Sequence, residues 1–110
     1  MGLFKRDEIV VIPFPFSDLS ESKLRPALIL SELLNDDYIM FQITSKSYND
    51  LLTYRISNSA IENGYLKFDS YVKYSKVFTA NSGIISKSIG KLKSDELKKI
   101  INKFVKLIEI

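Results

Sequence analysis

Along most of the chain apolar residues come in short runs broken by polar clusters, and only after Ser94 do they take up the spacing of a helix. Ile9-Val10-Val11-Ile12 followed by Pro13-Phe14-Pro15-Phe16 is β-branched and aromatic and predicts a strand. Its two prolines lack an N–H donor, so that end belongs at a sheet edge or a bulge. The polar stretch Ser17–Leu24 predicts an exposed loop. Arg25–Ser31 predicts a second strand opened by Pro26, Asn35-Asp36-Asp37 a turn, and Tyr38–Thr44 a third, largely buried strand. After a loop over Ser45–Leu51 come a short strand around Thr53–Ser57 and a turn at Asn63-Gly64. Ser70–Thr79 is β-rich, Ser82-Gly83 breaks the chain, and Ile84–Ile89 predicts a last strand ended by Gly90.

The tail is different. Leu97, Ile100, Ile101, Phe104, Val105 and Ile108 recur at helical spacing, behind Ser94 as an N-cap and Asp95-Glu96 in the first turn. Lys98, Lys99, Lys103 and Lys106 fall mostly on the opposite, solvated side. Several short strands and one terminal amphipathic helix imply a mainly β (α+β) fold, a small antiparallel barrel or strongly bent sheet capped by the helix. No linker, repeat or low-complexity tract divides residues 1–110, which are expected to form a single domain.

Composition narrows the chemistry more than the fold. The chain has neither cysteine nor histidine. That excludes disulfides, thiolate metal sites and thiol nucleophiles, and it removes the commonest general base. Catalysis would have to use Arg, Lys, Ser, Thr, Tyr or carboxylates. The net charge of +3 hides an asymmetry: residues 1–55 carry 6 Lys/Arg against 8 Asp/Glu, or −2, and residues 56–110 carry 10 against 5, or +5. A basic second half suits an acidic partner, or simply a solvated lysine face. The longest apolar run, Ile9–Phe16, is too short to span a membrane and contains two prolines, so a cytoplasmic address is expected. The adjacent carboxylates Asp7-Glu8 and Asp36-Asp37 read as solubilising surface, and no phosphate-binding glycine loop, nucleophile elbow or metal-ligand spacing is present.

Three places carry possible chemistry. In Lys23-Leu24-Arg25-Pro26 the proline restricts the residue before it to extended backbone, which holds Arg25 at the mouth of the sheet with its planar fork suited to a phosphate. A structural arginine paired with Asp18 or Glu8 is the competing reading. Thr44-Ser45 places two hydroxyls where a strand exits into a loop, able to bind a phosphate or merely to cap a turn. Lys73, Tyr74, Ser75 and Lys76 interleave basic and aromatic groups, as single-stranded nucleic acid binding requires, though an ordinary exposed strand has the same look.

Taken in order, these segments resemble the MazF/PemK family of type II toxins, the group that includes Kid. The resemblance runs through Asp7–Leu19, the arginine-proline-alanine strand Ser22–Ser31, the Ile43-Thr44-Ser45 exit, Tyr71–Thr79, Ile89-Gly90-Lys91-Leu92 and the final helix. It implies an SH3-like barrel with a C-terminal helix, usually a homodimer. It also implies a metal-independent, cofactor-free endoribonuclease that cuts single-stranded mRNA to 2′,3′-cyclic phosphate and 5′-hydroxyl ends. By resemblance Arg25 would stabilise phosphate charge and is the candidate proton donor. Thr44, with Ser45 beside it, would position the phosphate or the 2′-hydroxyl, and Lys23, Lys73, Ser75 and Lys76 would contact RNA. A small acidic antitoxin is the implied protein partner. The chain departs from the pattern at Asp7, where the family has glycine, at Lys73 and Ser75, where Kid-like members have arginine and an acidic residue, and in lacking the Kid-like loop histidine. The alternative implied function is a non-catalytic barrel that binds an antitoxin or a protein target, as CcdB relatives of this fold bind gyrase.

Overall fold

A computed structural model describes residues 3–15, 22–46 and 50–109. Phe16, Asp18 and the rest of the predicted loop as far as Glu21 lie outside the described residues, as do positions 47–49. The described strands are β1 (Glu8–Pro15), β2 (Ser22–Glu32), β3 (Asp37–Thr44), β4 (Thr53–Ile56), β5 (Ile61–Gly64), β6 (Ser70–Asn81) and β7 (Lys87–Leu92), followed by the helix α1 (Ser94–Ile108). They form one antiparallel sheet in the order β4-β6-β3-β2-β1-β7-β5, curled into a half-barrel. The mainly β architecture with a terminal helix is the one predicted.

Strand alternation divides the core into two faces. Ile9, Leu28, Phe41, Ile43 and Val72 point to one, and Val10, Ile12, Ala27, Ile29, Tyr38 and Met40 to the other. The helix closes the first face. Leu97 and Ile100 are buried there, and Phe104 meets Phe41 edge-on with ring centroids 5.3 Å apart. The Tyr54 hydroxyl donates to Glu96 Oε1 at 2.8 Å and ties β4 to the first turn of α1. The four predicted lysines are exposed. Two predicted apolar positions are not covered, however: Val105 is 40% and Ile108 59% exposed. The cap is Lys93, with no side-chain cap bond, and Ser94 is already the first helical residue.

The prolines sit where the sheet can tolerate them. β7 pairs with β1 only over Glu8–Val11, so among the described strands Pro13 and Pro15 have β2 as their single neighbour, the edge position predicted. Pro26 lies inside β2 rather than at its start, opposite Val11, and the ladder to β3 begins one residue later at Ala27–Gln42. The polar residues Ser22, Lys23 and Leu24, predicted as loop, are strand because they pair with Pro15, Phe14 and Pro13. Asn35 and Asp36 have φ of 62° and 61°, consistent with the predicted turn.

Two other predictions are corrected together. Asn63-Gly64 ends strand β5, and Gly90 lies within β7 instead of terminating it, while Ser82–Ile84 forms a 3₁₀ turn. Gly64 has φ +104°, and a Cβ there would stand 2.3 Å from the Gly90 Cα. These glycines let the two backbones touch. Asp7 is a third correction. Its φ is +81°, its N–H donates to Ile29 O at 3.1 Å, and its carbonyl accepts from Leu92 N–H at 2.8 Å. Its Oδ1 is buried, so this carboxylate is not solubilising surface; the backbone conformation, one that glycine adopts without strain, fixes the entry to β1.

Candidate active site

The site is made by two strands that part. β2 and β3 pair as far as Ala27–Gln42. β2 then continues against β1 to Ser22, and β3 continues against β6 to Thr44. Extending the register by two residues would set Arg25 opposite Thr44, on the same side of the sheet. A cleft of about 480 Å³ opens between them. Lys23, Leu24, Arg25 and Pro26 line it from β2, Ile43, Thr44 and Ser45 from the end of β3, and Leu66, Lys67, Phe68 and Ser70 from the segment entering β6, with Ile89 of β7. The described lining holds three cationic side chains and no carboxylate.

Lys23, Arg25, Thr44 and Ser45 are therefore brought together. Arg25 is half-buried, with its Nε atom buried, and the proline after it limits its backbone. Thr44 is only 9% exposed, and its Oγ1 accepts the N–H of Lys46 at 3.2 Å. That bond is the turn-capping role open to a strand-end hydroxyl, and it leaves the hydroxyl proton available for donation into the cleft. Ser45 is exposed beside it.

The other three predicted residues lie outside the cleft lining. Lys73 pairs across the sheet with Gln42 and Thr53, and its Nζ is 3.7 Å from Asp50 Oδ2. Between Phe41 and Gln42 the partner on β6 jumps from Val77 to Lys73, so Tyr74, Ser75 and Lys76 form a bulge. Lys76 borders a separate hollow of about 360 Å³, otherwise largely apolar, with Phe14, Val77, Phe78 and Ile84.

Lys67 and Phe68 are cleft residues that sequence reasoning passed over. The signal was present: Tyr65-Leu66-Lys67-Phe68 interleaves aromatic and basic groups as Lys73–Lys76 does. This segment is firmly held. The Asn58 amide donates to Leu66 O at 3.0 Å and accepts from Leu66 N–H at 2.7 Å. Ser70 Oγ donates to Phe68 O at 3.0 Å, and Asp69 forms an ion pair with Arg55. Lys67 Nζ lies 5.6 Å from the centroid of the Phe68 ring.

Residues 5–108 match the family described as PemK-like, MazF-like toxin of type II toxin–antitoxin systems. The chain belongs to that family. Solved structures agree on the fold. MazF from a Deinococcus radiodurans MazE–MazF structure is 13% identical, with 98% of each chain covered and a TM-score of 0.77. An endoribonuclease in complex with its cognate antitoxin, from a mycobacterial species, is 15% identical over 100% of this chain and 97% of that one, with a TM-score of 0.72. The Mycobacterium tuberculosis toxin MazF-mt6 is 16% identical over 92% and 97%, with a TM-score of 0.65. Comparison with curated protein sequences gives no match. Among the described residues of this MazF-like chain, no helix is long and apolar enough to cross a membrane.

Proposed function

We propose that this toxin is an endoribonuclease that cuts single-stranded mRNA in the Arg25–Thr44 cleft, leaving 2′,3′-cyclic phosphate and 5′-hydroxyl ends. The observation that carries the reading is the lining: Lys23, Arg25 and Lys67 with the hydroxyls of Thr44 and Ser45, and no carboxylate among the described lining residues. Such a site favours a phosphate and the extra charge that gathers on it in the transition state. The 2′-oxygen forms a bond to phosphorus as the bond to the 5′-oxygen breaks. The proton lost from the 2′-hydroxyl is balanced by the one gained at the 5′-oxygen, so the reaction is an intramolecular transesterification that releases the 5′-hydroxyl fragment and needs no co-reactant. Arg25 bears the phosphate charge and stands nearest the role of donor to the leaving oxygen. Thr44 and Ser45 hold a phosphate oxygen or the 2′-hydroxyl by donated hydrogen bonds. Lys73, Ser75 and Lys76, farther along β6, would contact the flanking strand.

A cytoplasmic toxin of this kind works as a homodimer under a cognate antitoxin. The half-buried Phe14 and Phe78 beside exposed Val77 and Ile84 make the hollow on β1 and β6 the surface best suited to a second copy. An acidic antitoxin segment would find its complement in the basic second half of the chain.

The test is cleavage of end-labelled single-stranded RNA with analysis of the product ends. Arg25→Ala should lower the rate by roughly 10²–10³, the usual cost of one charge-stabilising donor, with the fold retained by circular dichroism. Thr44→Ala should lower it less. Wild-type protein that leaves a broad set of RNAs intact, or that yields 5′-phosphate ends, would overturn the reading. Toxicity that survives Arg25→Ala would favour a protein target instead.

A further inference from the structure

Two described aromatic side chains stand more than half exposed, Tyr65 at 68% and Phe68 at 63%, both in the segment that enters β6. An exposed phenylalanine on a mobile loop would need no explanation. Phe68 is on a segment whose backbone is fixed by Asn58, Ser70 and the Arg55–Asp69 ion pair. Leu66, two residues before it, is a buried anchor at 5% exposure. The backbone beneath the ring is therefore held in place, and Phe68 lines the cleft that holds Arg25 and Thr44. Lys67 reaches over it.

We propose that Phe68 is a base-stacking platform: a nucleobase next to the scissile phosphate lies on its ring while Lys67 contacts the adjoining phosphate. The inference rests on the reading of the cleft as an RNA-cleaving site and adds the residue that grips the base. Three features favour a nucleobase over a protein side chain. The surrounding charge is wholly cationic along the described lining, which suits the backbone that accompanies a base. A flat hydrophobic surface beside a phosphate-binding fork reproduces the alternation of ring and charge in a single strand. A backbone already fixed beneath the ring also lessens the ordering that stacking must bring about. Stacking accepts any base, so Phe68 should set affinity and the register of the cut, with little influence on which base is present.

The experiment uses the full chain and an RNA that the wild type cleaves at one site. Phe68→Ala should lower kcat/KM by roughly 5- to 150-fold, the range for loss of one stacked base. Phe68→Tyr should retain activity, whereas Phe68→Leu, apolar but not flat, should lose most of it. Tyr65→Ala removes the equally exposed aromatic that is outside the cleft lining and should leave cleavage unchanged. Abasic residues placed one at a time around the cut should reveal one position where the wild type loses as much as Phe68→Ala and where the two losses do not add. Losses that add at every position, or full activity in Phe68→Leu, overturn the platform while leaving the nuclease reading intact. A Phe68→Ala protein that cuts normally but has lost antitoxin affinity assigns the ring to the protein partner and also overturns it. Wild-type protein that cuts no RNA removes the parent reading, and this one with it.

Discussion

Two aromatic pairs, one on each face of the sheet, have nearly the same geometry and different surroundings. Phe41 and Phe104 meet edge-on with centroids 5.3 Å apart, and Phe14 and Phe78 do so at 5.2 Å. Phe41 is fully buried beneath α1, whereas Phe14 and Phe78 are only half-buried on a hollow that no described element covers. The ring contact itself is worth about 0.5–1.5 kcal/mol in either place. What separates the pairs is the solvent removed around them. The closed face is packed beneath the helix, and the other face keeps apolar surface exposed around Phe14, Val77, Phe78 and Ile84. The cleft with Arg25 and Thr44 borders the closed face, through Ile43 and Leu66, so the open hollow is free to serve a different purpose.

The largest effect that tests this division comes from truncating the matched rings. Phe41→Ala should cost about 3–5 kcal/mol, because a full-sized cavity opens under the helix. Phe78→Ala should cost about 1–2 kcal/mol, because its ring already shares its surface with water. Urea melts at low protein concentration measure both. Equal losses would mean that the second face is as thoroughly packed as the first. If the homodimer proposed above covers Phe78, its truncation should also make the melt depend less on protein concentration, as the native state becomes monomeric, while Phe41→Ala should not change that dependence.

The closed face was also the more legible one. The helix announces itself by period, because burial against a single partner repeats one spacing along the sequence, and β3 by a short apolar run that is buried on both faces. The site was legible where one residue constrains its neighbour: Pro26 fixes Arg25, and the end of the apolar run in β3 marks Thr44 and Ser45. Other features depend on pairing between distant segments. Ser22–Leu24 has the composition of a loop and becomes strand because β1 lies beside it. Gly64 and Gly90 look like turn and terminator, and only their mutual approach explains them. Phe68 was hidden for a related reason. The chain carries two runs that mix basic and aromatic residues, and the divergence of β2 from β3 decides which of them borders the cleft.

The smallest effect concerns how the closed face is fastened. Tyr54 bonds to Glu96, and its phenol is pushed up to about 12, first by burial and then by the hydrogen bond and negative charge of Glu96. Below pH 10 the neutral phenol donates that bond in the folded protein. As pH rises from about 10 to about 12, the unfolded chain loses the proton first, because its tyrosine titrates near the ordinary value of about 10. Unfolding is therefore favoured through that window, and the contribution of Tyr54 is lost as the pH passes its folded value. Tyr54→Phe removes the bond and should cost about 0.5–1 kcal/mol at neutral pH. The gap in denaturation midpoint between wild type and variant should stay constant up to about pH 10 and close towards about pH 12. Lysine titration shifts both proteins alike and cancels in the difference. A gap that persisted undiminished to pH 12 would mean that the Tyr54–Glu96 bond does not help to fasten the helix, leaving packing of Leu97, Ile100 and Phe104 to close that face alone.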